Sequence, residues 1–133
     1  MRFFSFLFFF AITFSGIGQD IYSIIQEDDE IIVSYSVLEW KKKGVLLPEL
    51  RFSIENKTDH AINVSFELNF EYEMEIAEAT VVEDICILAG KTKKGKYKGL
   101  FYQPENLTID QLKSEDFYIN LDELSITEVV DCK

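Results

Sequence analysis

Between Ala61 and Ile76 the chain alternates with period two. Ile62, Val64, Phe66, Leu68, Phe70, Tyr72, Met74 and Ile76 take the even positions; Asn63, Ser65, Glu67, Asn69, Glu71, Glu73 and Glu75 take odd ones. On a helix, side chains two apart point to nearly opposite sides, so these apolar groups would share no face. An extended strand gathers them on one side and leaves the amides and carboxylates on the other. This stretch is therefore read as half-buried sheet. Sixteen residues from Ala61 to Ile76 at about 3.3 Å each would run about 53 Å, far beyond a usual strand. A bend, bulge or break is expected near Glu71–Glu75, since the Glu-, Met- and Ala-rich stretch Glu71–Ala79 also favours helix.

The flanking segments have the same texture. Ile31–Trp40 reads as a strand closed by Lys41-Lys42-Lys43-Gly44, and Pro48 marks the start of the next, in which Leu50, Phe52 and Ile54 alternate with Arg51, Ser53 and Glu55. Asn56–His60 supplies turn residues whose side chains can bond their own backbone. Thr80–Leu88 is rich in Val and Ile, Ala89-Gly90-Lys91 turns, and Lys94, Lys96 and Lys98 alternate into Leu100-Phe101-Tyr102. Pro104–Lys113 reads as a loop with a helical turn around Asp110–Lys113, followed by strands at Phe117–Leu121 and Leu124–Val130. About seven short strands bounded by turn signals predict an all-β fold, an antiparallel Greek-key sandwich. A small closed barrel is the alternative.

Ahead of this lies Met1-Arg2, an apolar run Phe3–Phe14 and Ser15-Gly16-Ile17-Gly18. One positive charge, a short apolar core and small residues two apart form the pattern of a secretory signal peptide. Phe3–Phe14 as a helix spans about 18 Å, short of the roughly 30 Å of a bilayer core. The chain is thus divided into a cleaved signal peptide (1–18), a polar segment (19–30) ending in Glu27-Asp28-Asp29-Glu30, and a single domain (31–133), with no membrane span after cleavage. Losing Arg2 leaves 24 acidic against 12 basic side chains. Such acidity argues against nucleic acid as a partner. Cys86 and Cys132, an even pair in an exported chain, are expected to form a disulfide.

No chemistry-bearing motif stands out. His60 is the sole histidine and falls in a turn, no G-x-S-x-G motif presents a serine, and a straight strand holds Glu67, Glu71, Glu73 and Glu75 too far apart to encircle an ion. No catalytic residue, metal or cofactor is assigned. The basic residues are segregated: Lys41, Lys42 and Lys43 in one run and Lys91, Lys93, Lys94, Lys96 and Lys98 in another. With Trp40 beside the first, they are the candidate partner-binding residues, on the premise that the fold brings both runs to one end. Asn56-Lys57-Thr58, Asn63-Val64-Ser65 and Asn106-Leu107-Thr108 each fit the N-glycosylation pattern, which has meaning only in a host with that machinery.

The stretch Glu39–Lys43, Leu50–Asp59 and Ile62–Phe66 resembles small exported immunoglobulin-like domains of bacteria, in which a strand ends in an Asn-rich turn and returns as a second alternating strand. The resemblance spans roughly Ile31–Cys132 and implies the fold alone. It departs from true immunoglobulin domains in having no Trp between Cys86 and Cys132. Taken together, the expectation is a secreted or periplasmic, non-catalytic β-sandwich module that binds a protein or glycan. The alternatives are a secreted inhibitor of a hydrolase, presenting Lys91–Lys98 or Asn56–His60, and a small carboxylate-dependent hydrolase.

Overall fold

The computed structural model describes residues 21–95 and 98–133. The expected signal peptide (1–18) and Lys96 lie outside the described residues. Among these the chain forms strands β1 (Ser23–Glu27), β2 (Ile31–Lys42), β3 (Val45–Asn56), β4 (Ala61–Tyr72), β5 (Glu75–Ile87), β6 (Thr92–Lys94) and β7 (Phe101–Tyr102), a short helix α1 (Ile109–Leu112), and a last strand β8 (Phe117–Val129). The fold is all-β and every strand pairing is antiparallel. One sheet runs β1-β2-β3-β6, with β7 also on β3; the other runs β5-β4-β8. The sheets remain separate, as in a sandwich, rather than closing into one barrel.

The apolar alternation explains the core. Ile31 and Val33 from β2, Leu50, Phe52 and Ile54 from β3, and Ile62 through Phe70 at every second position of β4 are all fully buried. Each such side chain contributes roughly 1.5–3 kcal/mol by leaving water. Phe70 of β4 is the hub: its ring stacks at 6.4 Å on Phe52, 5.1 Å on Tyr102 and 6.4 Å on Phe117. It thus ties both sheets together.

The expected break falls at Glu73-Met74. Tyr72 pairs with Glu75 across this two-residue turn, and both turn residues have positive φ, 51° and 70°, as a type I′ hairpin requires. The reversal changes the faces. Ile76 lies across from Glu71, and cross-strand partners share a face, so Ile76 is turned to solvent at 61 % exposure and Met74 at 94 %. The inward placement expected for these two is corrected accordingly. The two strands expected at Phe117–Leu121 and Leu124–Val130 are one, β8, which passes through the bulge at Glu123 without ending, and three other boundaries also differ from the sequence reading. The polar stretch before residue 31 contains β1, paired with β2. β3 begins at Val45, before Pro48, which sits across from Glu39 where β7 no longer flanks β3, a one-sided position that proline tolerates. The alternating lysines after Thr92 end their strand at Lys94, because Gly95 and Leu100 close a tight turn.

Two bulges interrupt the three-stranded sheet at the same level. The β4–β5 register shifts between Val64 and Phe66, and the β4–β8 register between Ser65 and Glu67. The extra residues, Asp84 and Glu123, have φ of 52° and 53°. Ser65 Oγ accepts a hydrogen bond from the Asp84 backbone N–H. Cys86 and Cys132 are joined by a disulfide with Cα atoms 5.6 Å apart. Cys86 is the β5 partner of Asn63 in β4, whose other neighbour is Thr127 of β8. The bridge therefore links one edge strand to the tail following the other.

Candidate functional site

The two lysine runs end up apart. Lys41–Lys43 cap the β2–β3 hairpin, where Lys42 pairs with Val45. Lys93 and Lys94 pair with Ile54 and Ser53, near the far end of β3. Eight residues of strand between Val45 and Ser53 are about 26 Å at 3.3 Å each. The premise of one shared positive spot is therefore corrected. Lys93 and Lys94 also pair with β3 and not with Glu67 and Glu71, which belong to β4 of the other sheet. There Asn69 donates to Asp122 at 2.7 Å, and Asn120 donates to Glu71. Lys94 Nζ instead stands 5.9 Å from the centre of the Tyr22 ring, and Lys91 and Lys98 are exposed in turns. Trp40 is half-buried across from Leu47.

The hairpin that carries Trp40 and Lys41–Lys43 does form a concave feature. The odd residues of β2 face inward: Ile31 and Val33 enter the core, and Glu39 and Lys41 continue that face past it. Opposite them, Pro48 and Leu46 continue the inner face of β3. Beyond the core this face meets the segment from Pro104 to Asp110. The gap is a groove of about 510 Å³ with a floor of Leu46, Leu47, Pro48, Pro104, Leu107 and Ile109, and with Glu39, Glu105 and Asp110 at its rim. Val45 and Leu46, at the hairpin tip, are 57 % and 50 % exposed.

The second wall is held by a buried carboxylate. Glu78 of β5 is nearly inaccessible and accepts hydrogen bonds from the Tyr102 hydroxyl at 3.0 Å, the Glu105 N–H at 2.8 Å and the Asn106 N–H at 3.1 Å. Burial, then the bond to Glu78, then the charges of Glu78 and Glu105 push the Tyr102 phenol up to about 12, because an anion there would be desolvated and repelled. Next along the chain, Thr108 caps α1: Gln111 N–H donates to Thr108 Oγ1 at 3.2 Å, and Thr108 N–H donates to Gln111 Oε1 at 2.8 Å. Leu107 and Leu112 are buried beneath. Lys113 Nζ, 3.0 Å from Glu39 Oε1, bridges back to β2. Both walls of the groove are thus held by hydrogen bonds and an ion pair within the chain. Thr108-x-x-Gln111 is a capping-box spacing readable from sequence. Glu78 had no such signal, since an acid in an alternating strand reads as outward.

His60 lies in the β3–β4 turn, with Nδ1 3.1 Å from Asp59 Oδ1. Among the described residues no group of three or more His, Cys, Asp or Glu is placed to hold a metal ion, and no helix is long and apolar enough to cross a membrane. No protein-family model, curated protein or solved structure matches the chain.

Proposed function

We propose that this chain is an exported β-sandwich module of immunoglobulin-like, Greek-key type, which binds a protein partner outside the cytoplasm through the groove at the β2–β3 hairpin end. The carrying observation is the groove itself: an apolar floor, a carboxylate rim and two walls fixed by their own hydrogen bonds. Rigid walls cut the ordering cost of binding. Its volume is in the range of ligand-binding clefts. The lining is Leu, Pro and Ile with one Thr and three acids, and no aromatic ring for a sugar face to stack on, which favours a peptide segment over a glycan. The segment that fits carries apolar side chains beside a Lys or Arg, since Glu105 and Asp110 offer negative charge to an incoming cation. The Greek-key reading is supported by the chain's passages between sheets, from β3 to β4 and from β5 back to β6. Export is supported by the leader pattern and by the disulfide.

The test is affinity capture from extracytoplasmic fractions with residues 19–133, compared with Leu46→Asp and Asp110→Lys variants checked for β-sheet circular dichroism. A specific protein retained by the original chain and lost at least tenfold from both variants is expected. Equal retention by all three overturns the groove as the binding site.

A further inference from the structure

The three N-x-S/T tripeptides occupy very different places in the fold. Asn56, at the end of β3, is fully buried. Its amide nitrogen donates to the carbonyls of His60 at 2.8 Å, Ile87 at 3.0 Å and Leu88 at 3.2 Å, while its oxygen accepts from the backbone N–H and hydroxyl of Thr58. Asn63 is half-buried on the central strand β4. Its amide donates to Asp84 Oδ1 at 3.2 Å, and its cross-strand partner is the disulfide-bonded Cys86. Asn106 is exposed in the bend between β7 and α1. There Glu78 holds its backbone N–H, and its side-chain amide makes no hydrogen bond among the described residues.

We propose that Asn106 is an N-glycan acceptor, and that the folded chain accepts no glycan at Asn56 or Asn63. The reaction needs a polyprenyl-diphosphate-linked oligosaccharide and its transferase. The Asn106 amide nitrogen forms a bond to the sugar C1, the C1–oxygen bond to the diphosphate breaks, the lipid diphosphate leaves with that electron pair, and one amide proton passes to a base of the transferase. At Asn106, which is exposed and whose side-chain amide makes no hydrogen bond among the described residues, the substitution breaks no bond of the fold. At Asn56 the same substitution removes a hydrogen used on buried carbonyls and places a sugar where no solvent path exists; the desolvated carbonyls are left unpaired. At Asn63, flanked across the sheet by Cys86 and Thr127, the glycan would crowd the tail anchored at Cys132 and the carboxylate of Asp84 that its amide bonds. Thr108, which completes the Asn106 tripeptide, is exposed and uses its oxygen as an acceptor for the α1 cap, leaving its hydroxyl hydrogen available.

The full chain, secreted from a eukaryotic host that carries the transferase, provides the experiment. Glycan release by an amidase in heavy-oxygen water converts each occupied Asn to a labelled Asp that peptide mass spectrometry locates. Label at Asn106 alone is expected, with Asn106→Gln secreted, folded by circular dichroism and free of glycan. An unoccupied Asn106 in a host that glycosylates a co-expressed reporter overturns the proposal. So does occupancy of Asn56 or Asn63 in secreted protein that retains its β-sheet spectrum and its disulfide.

Discussion

At the scale of single residues, the polar side chains that matter are the ones the fold has hidden. Asn56 satisfies the turn of residues 57–60 and the carbonyls at the end of β5 with one side chain. Asn56→Ala would leave several of these groups buried without partners, at 1–3 kcal/mol for each that no water reaches. A loss of roughly 2–4 kcal/mol is expected, read as a lower urea midpoint. A midpoint equal to that of the unaltered chain would show that the turn is held by other contacts. Tyr102 makes a second case, now with a pH axis. Its phenol, ordinarily near 10, is raised to about 12, so the fold favours the neutral form. That contribution is whole below pH 10 and is lost as pH rises from 10 toward 12. Subtracting the absorbance titration of Tyr102→Phe isolates this group, whose midpoint should sit near 12. Glu78→Gln, which removes the negative charge and weakens the hydrogen bond, should bring it back toward 10. An unmoved midpoint would mean that burial alone raises it.

At the scale of elements, the two-residue turns are where sequence and backbone disagree most. Glu73-Met74 and Lys43-Gly44 both adopt positive φ, yet only the second has a glycine. An L-residue in the left-handed region costs about 1–2 kcal/mol, and both Glu73 and Met74 are exposed, with no packing to lose. Replacing Glu73-Met74 by Asn-Gly should therefore raise stability by about 1 kcal/mol, seen as a higher thermal midpoint without change in the β-sheet spectrum. A drop would show that the Glu73 N–H to Asp116 carbonyl contact depends on the native pair. The alternation of Ile62–Phe70 was legible because half-burial writes period two directly into side-chain polarity. The hairpin at residues 73–74 was legible only as an interruption, since the turn falls on Glu and Met and the alternation runs through it unbroken. The groove was not legible. It arises from the register of β2 and β3 meeting a loop anchored by Glu78, and an inward-pointing carboxylate looks the same in sequence as an outward one.

At the scale of the whole molecule, the question is what keeps a three-stranded sheet with two bulged outer strands from opening. Both β5 and β8 lose register at the level of Ser65, which weakens the ladder on either side of β4 at once. The Cys86–Cys132 bridge acts at the next turn of the pleat, near Asn63, and ties β5 to the tail of β8 across β4. Its cysteines are 46 positions apart, and the chain-entropy account gives such a loop about 4 kcal/mol as an upper figure. Cys86→Ser/Cys132→Ser should therefore lower the unfolding free energy by about 2–4 kcal/mol. Because the bridge lies on the outer face and not in the Phe70 core, the variant should keep its near-ultraviolet aromatic signature below its own midpoint. Hydrogen exchange resolves the two contributions. Amides of β5 and the end of β8 should exchange faster in the variant, while those of β2 and β3, in the other sheet, keep protection that scales only with global stability. Uniform loss of protection across both sheets would mean that the two layers unfold as one unit and that the clasp has no local role.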